Sequence, residues 1–455
     1  MIQTSEAVIE QATPTAPERG MRFMLAVLIV FVVVQDIFDL HWSLGPGLSA
    51  KNALLYLLAA ALAFKFAVQG FRIELKSILI CFGVLIGYSI FSILAAEWVV
   101  DYPRYDAIDS AISLKAKLAD QLIFFLVFFY GLKGSANAAG MLKVLLVAVV
   151  IANSMAVLDA WGFVEVGGLE QREDGRIQGV MGESNQYAAF VTLFLPALAA
   201  AAVQSRNVGR LFWLAGLLIC TAGMVMAVSR GAFVALLVSA IWGGLLFRRY
   251  VSPRKIIAAG AIGLVFLVIV LVILSARYGD LLAQRLLAES SGDLTSASSG
   301  RSEIWATAIA RMFQSPLTLL TGFGWDVYWT MPFRYSPHNH YIGLWFNLGL
   351  PGLICGTLLL VYAARNALSA VTLSATYRPI LIAFVLGTLA FAVATFFVDL
   401  YVPWLWFWAY AGLVLRIAVN VHNALAKGPV PVINQTKPAT QADPYGWTAA
   451  ARSVR

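Results

Sequence analysis

Charge is scarce in this chain. Only 12% of its 455 residues are Asp, Glu, Lys or Arg, about half of what a water-soluble domain carries. With 60% apolar residues beside them, a water-soluble enzyme and a disordered protein are both excluded. Cysteine is nearly missing as well. Cys81, Cys220 and Cys355 all fall inside apolar runs, so no disulfide framework and no cysteine-bound metal is expected. There is no GxxxxGKS/T loop for nucleotide phosphates, no HExxH pair, and no clustered acidic pair placed to hold a divalent ion.

What the chain has instead is long apolar runs, and its mean hydropathy is +0.79. Twelve runs of 16–25 residues stand at about 21–37, 52–70, 77–96, 117–132, 141–160, 184–203, 211–228, 230–247, 256–276, 338–362, 379–398 and 401–420. That is the pattern of helices crossing a bilayer. The 13 Trp, 16 Tyr and 28 Phe fit the same reading, because amphipathic rings collect at membrane interfaces. The expected fold is an all-α polytopic integral membrane protein of about twelve transmembrane helices.

The formal charge of +8 invites a nucleic-acid reading, and its distribution rejects one. The even-numbered connections are short and basic. They hold Lys65, Arg72 and Lys76; Lys133 and Lys143; Arg206 and Arg210; Arg248, Arg249, Arg254 and Lys255; Arg365 and Arg378, against one acid, Glu74. The odd connections and their span ends hold nineteen Asp or Glu against twelve Lys or Arg. Excess Lys and Arg marks the cytoplasmic side, so both termini are expected there and the odd connections outside. Residues 1–20 form a polar cytoplasmic segment, and the first span, with no small-residue cleavage site, reads as retained. The tail at 421–455 has the composition of a disordered segment.

The middles of the spans hold almost no ionisable residues, whereas ion-coupled transporters keep such groups at mid-membrane. Ionisable groups crowd the outer ends, which places any chemistry at the external face. The largest outer connection is 277–337. It contains a Ser- and Gly-rich stretch at 290–300, and then apolar residues at helical spacing: Ile304, Trp305, Ala308, Ile309, Met312 and Phe313. An amphipathic helix over 301–315 follows, capped by Ser299 or Gly300, with Arg301 in its first turn. A helix N-terminus plus a guanidinium suits phosphate; an arginine merely reaching for solvent is the plainer alternative.

Four further features stand out. In Ser336-Pro337-His338-Asn339-His340-Tyr341, Ser336 suits an N-cap and Pro337 the first helical position, which puts His338 in the first turn. A helix dipole there favours the neutral imidazole, which can accept a proton. His340 points to the opposite side of such a helix, so the two do not form a metal site together, and a packed interface histidine is the plainer reading of each. Arg230, in Ser229-Arg230-Gly231, is the one charge of a tight outward turn and either pairs with a carboxylate or binds a lipid phosphate. Arg176, with Gly179, Gly182, Glu183, Ser184, Asn185 and Gln186, opens the sixth span through a turn whose amides suit sugar or phosphate, unless capping by Ser184 explains it. Asp399 either orients a histidine, holds an arginine or forms a plain ion pair. With no nucleotide or metal motif, energy and leaving group must come with the substrate; a sugar diphosphate, its charge offset by two fixed arginines, is such a substrate.

Taken in order, Gly182 with Asn185-Gln186-Tyr187-Ala188, Ser229-Arg230-Gly231, Gly300-Arg301 with Trp305, Gly322-Phe323-Gly324, and His338-Asn339 with Tyr341 and Gly349 resemble the O-antigen ligase/polymerase superfamily. The resemblance covers roughly residues 180–400 by motif. It implies a glycosyltransferase of lipopolysaccharide biosynthesis, in the bacterial inner membrane with a periplasmic active site. Its donor would be a polysaccharide carried by undecaprenyl diphosphate, and its acceptor, for a ligase, a sugar of lipid A–core. Residue by residue, the resemblance makes His338, Arg301 and Arg230 catalytic. Arg176, Asn185, Gln186, Asn339, Tyr341 and Asp399 would contact substrate. The transfer would invert the anomeric centre with no cofactor and no metal, and the partners would be the two glycolipids and membrane lipids, with no nucleic acid. A repeat-unit polymerase and a protein O-oligosaccharyltransferase belong to the same superfamily, and a lipid-linked oligosaccharide transporter is the reading from another class.

Overall fold

The computed structural model describes residues 16–40, 42–45, 47–169, 175–250, 252–286, 300–331, 336–399 and 402–426. The Ser-rich stretch expected at 290–299, most of the polar N-terminal segment and nearly all of the tail lie outside them. The chain is an all-α polytopic membrane protein. Its helices are α1 (Ala16–Phe38), α2 (Ala50–Gln69), α3 (Lys76–Ala95), α4 (Ala107–Leu114), α5 (Asp120–Tyr130), α6 (Ser135–Ala160), α7 (Ser184–Gln204), α8 (Asn207–Met226), α9 (Arg230–Phe247) and α10 (Pro253–Leu286). After the gap come α11 (Arg301–Met312), α12 (Pro316–Thr321), α13 (His340–Ala370), α14 (Arg378–Ala394) and α15 (Val402–Ala426).

Every apolar run read from the sequence overlaps one of these helices. Among the described residues nine are long and apolar enough to cross a membrane: α1, α2, α3, α6, α7, α8, α9, α13 and α15. Gly263–Ser275 within α10 and all of α14 are shorter apolar helices. Two π turns, Ala96–Val100 after α3 and Lys115–Ala119 between α4 and α5, occupy the end of the bundle where the connections are acidic. The ninth helix does not stop near residue 276. It runs on to Leu286, ten residues into what reads as loop.

Packing follows from which helices are apolar all round. Helix α15 is buried along almost its whole length, from Pro403 to Ile417, and packs against α5, α6, α7, α13 and α14. Its rings fill the centre: Phe407 stacks on Phe391, with ring planes 4° apart, and Trp408 meets Phe82 and Phe125 edge-on. Other helices turn residues such as Phe64, Leu237 and Val272 outward, as a lipid-facing surface requires. The centre also holds a buried cation. Arg416, on α15, pairs with Glu74 at 2.7 Å, donates to the Phe129 carbonyl, and stacks over the Phe129 ring. A guanidinium so buried is tolerated only when matched in this way.

Candidate functional site

The site is organised by a break in α13. Gly349 adopts φ +61°, outside the helical range, and Pro351 follows within the helix. Proline removes its own N–H and crowds the carbonyl four residues back, that of Asn347. The break leaves the carbonyls of Phe346 and Asn347 without helical donors, and within a bundle such groups must find others. The N–H groups of Phe323 and Gly324 supply them at 2.8 and 2.9 Å. The Gly-Phe-Gly motif thus lies backbone-to-backbone on the opened helix. A Cβ on Gly322 would fall 2.5 Å from the Gly349 nitrogen, so only glycine permits the approach.

Segment 336–340 leads into this helix, and here the expected cap is corrected. The helix does not begin at Ser336-Pro337. It begins at His340, capped by Asn339, whose carboxamide oxygen accepts from the N–H groups of Tyr341 and Ile342. His338 therefore stands outside the helix rather than in its first turn. It has φ +47° and an exposed side chain. The Asp399 carboxylate accepts hydrogen bonds from the backbone N–H groups of His338 and Asn339, and the Thr395 carbonyl accepts from the N–H of His340. Burial pushes the Asp399 carboxyl up to about 7, against the pull of Lys117 and of those two amides, with Glu183 adding a small upward push. Asn339 and Tyr341, expected to touch substrate, have internal partners: Tyr341 donates to the Ala392 carbonyl and packs on Phe396.

Of the two arginines that the resemblance makes catalytic, one lies on an element that abuts this segment and the other on an element that abuts the stretch leading to Asp399. Gly300, with φ +79°, caps α11, so Arg301 is its first residue. One turn on, the indole N–H of Trp305 donates to the Pro337 carbonyl. Ala308 and Met312 bury the inner face of α11 beside Phe346 and Tyr328, so the amphipathic helix expected over 301–315 exists and ends at Met312. Arg230 opens α9, and the next residue, Gly231, lies against the Phe397 ring, two positions before Asp399.

The start of α7 joins from the other side. Arg176 is buried and donates to the Ala227 carbonyl at 2.8 Å and to Asn185 Oδ1 at 3.2 Å. Ser229, next to Arg230, donates to the same oxygen at 3.0 Å. Asn185 donates in turn to Glu183. Glu183, not Ser184, is the N-cap, its carboxylate accepting from the Gln186 N–H. Arg176 and Asn185 thereby brace the turn that presents Arg230, and Gln186 is buried beside them.

The structure also assembles residues that the sequence did not single out. Lys117, in the second π turn, forms an ion pair with Asp326 at 2.9 Å. Both line a cavity together with Gln121, Asn347, Asp399 and His340, over an apolar floor that includes Phe82, Leu85 and Leu359. Trp325, Trp329, Trp404 and Trp408 stand in its walls. His340 packs on Trp404, with ring centroids 5.0 Å apart, as an interface histidine does. A sequence signal for Lys117 existed: two lysines and Asp120 crowd the threshold of an apolar run. Nothing in the sequence ties Asp326 to it.

Fold and site together define an all-α polytopic membrane protein that gathers arginine, histidine and carboxylate side chains at one end of its bundle. Residues 215–357 match the family described as O-Antigen ligase, and that stretch contains Arg230, Arg301, His338 and Gly349. That match supports the superfamily resemblance that the order of the motifs carries. No curated protein matches it.

Proposed function

We propose that this protein is an O-antigen ligase. It moves a polysaccharide from undecaprenyl diphosphate to a sugar hydroxyl of lipid A–core, at the periplasmic face of the bacterial inner membrane. The observation that carries this reading is the meeting of three elements around one short segment. Helix α11, beginning at Arg301, is fastened to Pro337; α9, beginning at Arg230, packs beside Phe397; and the backbone of His338, whose side chain is exposed, is held by Asp399, two positions beyond Phe397.

In this reading Arg230 and Arg301 hold the diphosphate with planar, paired N–H donors. Offsetting its charge makes the lipid diphosphate a good leaving group. The acceptor hydroxyl oxygen attacks the anomeric carbon as the bond to the diphosphate oxygen breaks on the opposite side, which inverts that centre. The hydroxyl proton passes to neutral His338. No cofactor or metal takes part.

The test is transfer in vesicles containing the purified protein and lipid-linked glycan, with lipid A–core and free lipid-linked repeat units offered side by side. Product on lipid A–core that is lost in His338→Ala supports the ligase. Product only on repeat units makes the protein a polymerase. Movement of lipid-linked glycan across the bilayer without any transfer, unchanged in His338→Ala, would overturn the enzyme reading.

A further inference from the structure

The cavity beside Asp399 differs in chemistry from the pair of arginines. It presents one ammonium, Lys117, to two carboxyl groups, Asp326 and Asp399. It therefore carries no surplus positive charge whether Asp399 is protonated or not, and a diphosphate gains nothing by entering it. What it offers is flat aromatic surface and neutral hydrogen-bonding groups. Trp325 and Trp404 are each 5% exposed, and their indole N–H groups have no hydrogen-bond partner among the described residues. The carboxamide oxygen of Asn347 is likewise buried without one. Buried donors and acceptors are nearly always paired, and the three residues that carry these orphans all line the cavity. Two donors and an acceptor match a group that both accepts and donates, as a hydroxyl does. Pyranose rings combine such hydroxyls with apolar C–H faces that lie well on indole.

We infer that this cavity seats a neutral sugar ring of the acceptor. The inference deepens the glycan-transfer reading and rests on it. Trp325 and Trp404 donate to ring hydroxyls and Asn347 accepts from one. Asp399 lies on the boundary, facing the cavity while its carboxylate holds the backbone of His338. Diphosphate and acceptor then approach the histidine from different sides, and neither site competes for the other's ligand.

Two variants test this without removing a charged group. Trp404→Phe keeps an aromatic ring and deletes the N–H. Gly343→Ala adds a methyl about 3.4 Å from Asp399 Oδ1, in ordinary contact, and narrows the cavity where Gly343 lines it. In the vesicle assay each is expected to raise the acceptor KM at least tenfold and leave the donor KM unchanged. Separately, saturation-transfer NMR on the detergent-solubilised full chain should detect methyl glycosides of neutral hexoses binding to the wild type. Binding should fall in both variants, and inorganic pyrophosphate should not displace it. Unfolding midpoints near the wild-type value establish that the variants fold. Displacement by pyrophosphate, hexoside binding unaltered in both variants, or a raised donor KM with an unchanged acceptor KM would overturn the assignment. The NMR arm needs no turnover, so hexoside binding by a protein that transfers nothing sinks the ligase reading and leaves the sugar site standing.

Discussion

The indole of Trp305 donates its N–H to the carbonyl oxygen of Pro337, joining the helix that starts at Arg301 to the residue next to His338. The N-terminus of α11, where the proposed diphosphate would bind, and the position of the histidine are thereby mechanically linked. Trp305→Phe removes this link and keeps the ring. Transfer should fall roughly 10- to 100-fold, the usual cost of a misplaced reacting group, with the unfolding midpoint changed by only a few degrees. Single-turnover rates and a thermal melt check this; a transfer rate within twofold of wild type would show that α11 does not position the loop.

Arg230 and Arg301 should each resist replacement by lysine. An ammonium keeps the charge and loses the planar fork, so Arg→Lys at either position should reduce transfer by about tenfold or more, since bidentate contact to phosphate is lost. The corresponding alanine variants should be weaker still. Rates for the four variants under saturating acceptor decide it.

Asp399 makes stability depend on pH. Its folded carboxyl is raised to about 7, above the ordinary value near 4, so between those limits the folded protein binds more protons than the unfolded one. Its contribution to stability is present at low pH and declines as pH rises from about 4 through 7. Asp399→Asn keeps an oxygen for the amides of His338 and Asn339 and cannot ionise. The variant should therefore gain on the wild type across that window, by about 1–4 kcal/mol in all. Melting midpoints from pH 4 to 8 in detergent would show it; parallel curves would not.

Gly349 should tolerate no side chain. A Cβ there would meet the Leu320 carbonyl oxygen, and the backbone sits at φ +61°. Gly349→Ala should cost about 2–4 kcal/mol, from strain at a left-handed position and a contact with rigid backbone. Gly343→Ala on the same helix, where a Cβ makes only ordinary contacts and φ is helical, is the control and should melt near wild type.

The apolar helices, though not the number that cross, the motif order and the amphipathic helix at Arg301 were legible because each is a local pattern of apolar spacing or turn chemistry. The start of α13 was not. Ser336-Pro337 is a sound cap on local grounds, but Asn339 is an equally good one, and tertiary contacts decide between them. The amides of His338 and Asn339 go to Asp399, 61 and 60 residues away along the chain, and that of His340 to Thr395, 55 residues away. The start of α7 misled in the same way, because Glu183 takes the amide that Ser184 was expected to serve. The cavity was invisible for a related reason. Its lining comes from five separate stretches of chain, and Lys117 reaches it through a π turn that no periodicity announces.

That π turn has a consequence for inheritance. Losing one codon between Lys115 and Ala119 would let α4 and α5 run together as regular α-helix. Regular phasing turns about 100° per residue, so the flanking helices would rotate against each other by that angle and carry the Lys117 ammonium away from Asp326. The hydrophobic membrane-spanning content would be untouched. Relatives differing by a single deletion here should insert normally and yet choose different molecules to decorate.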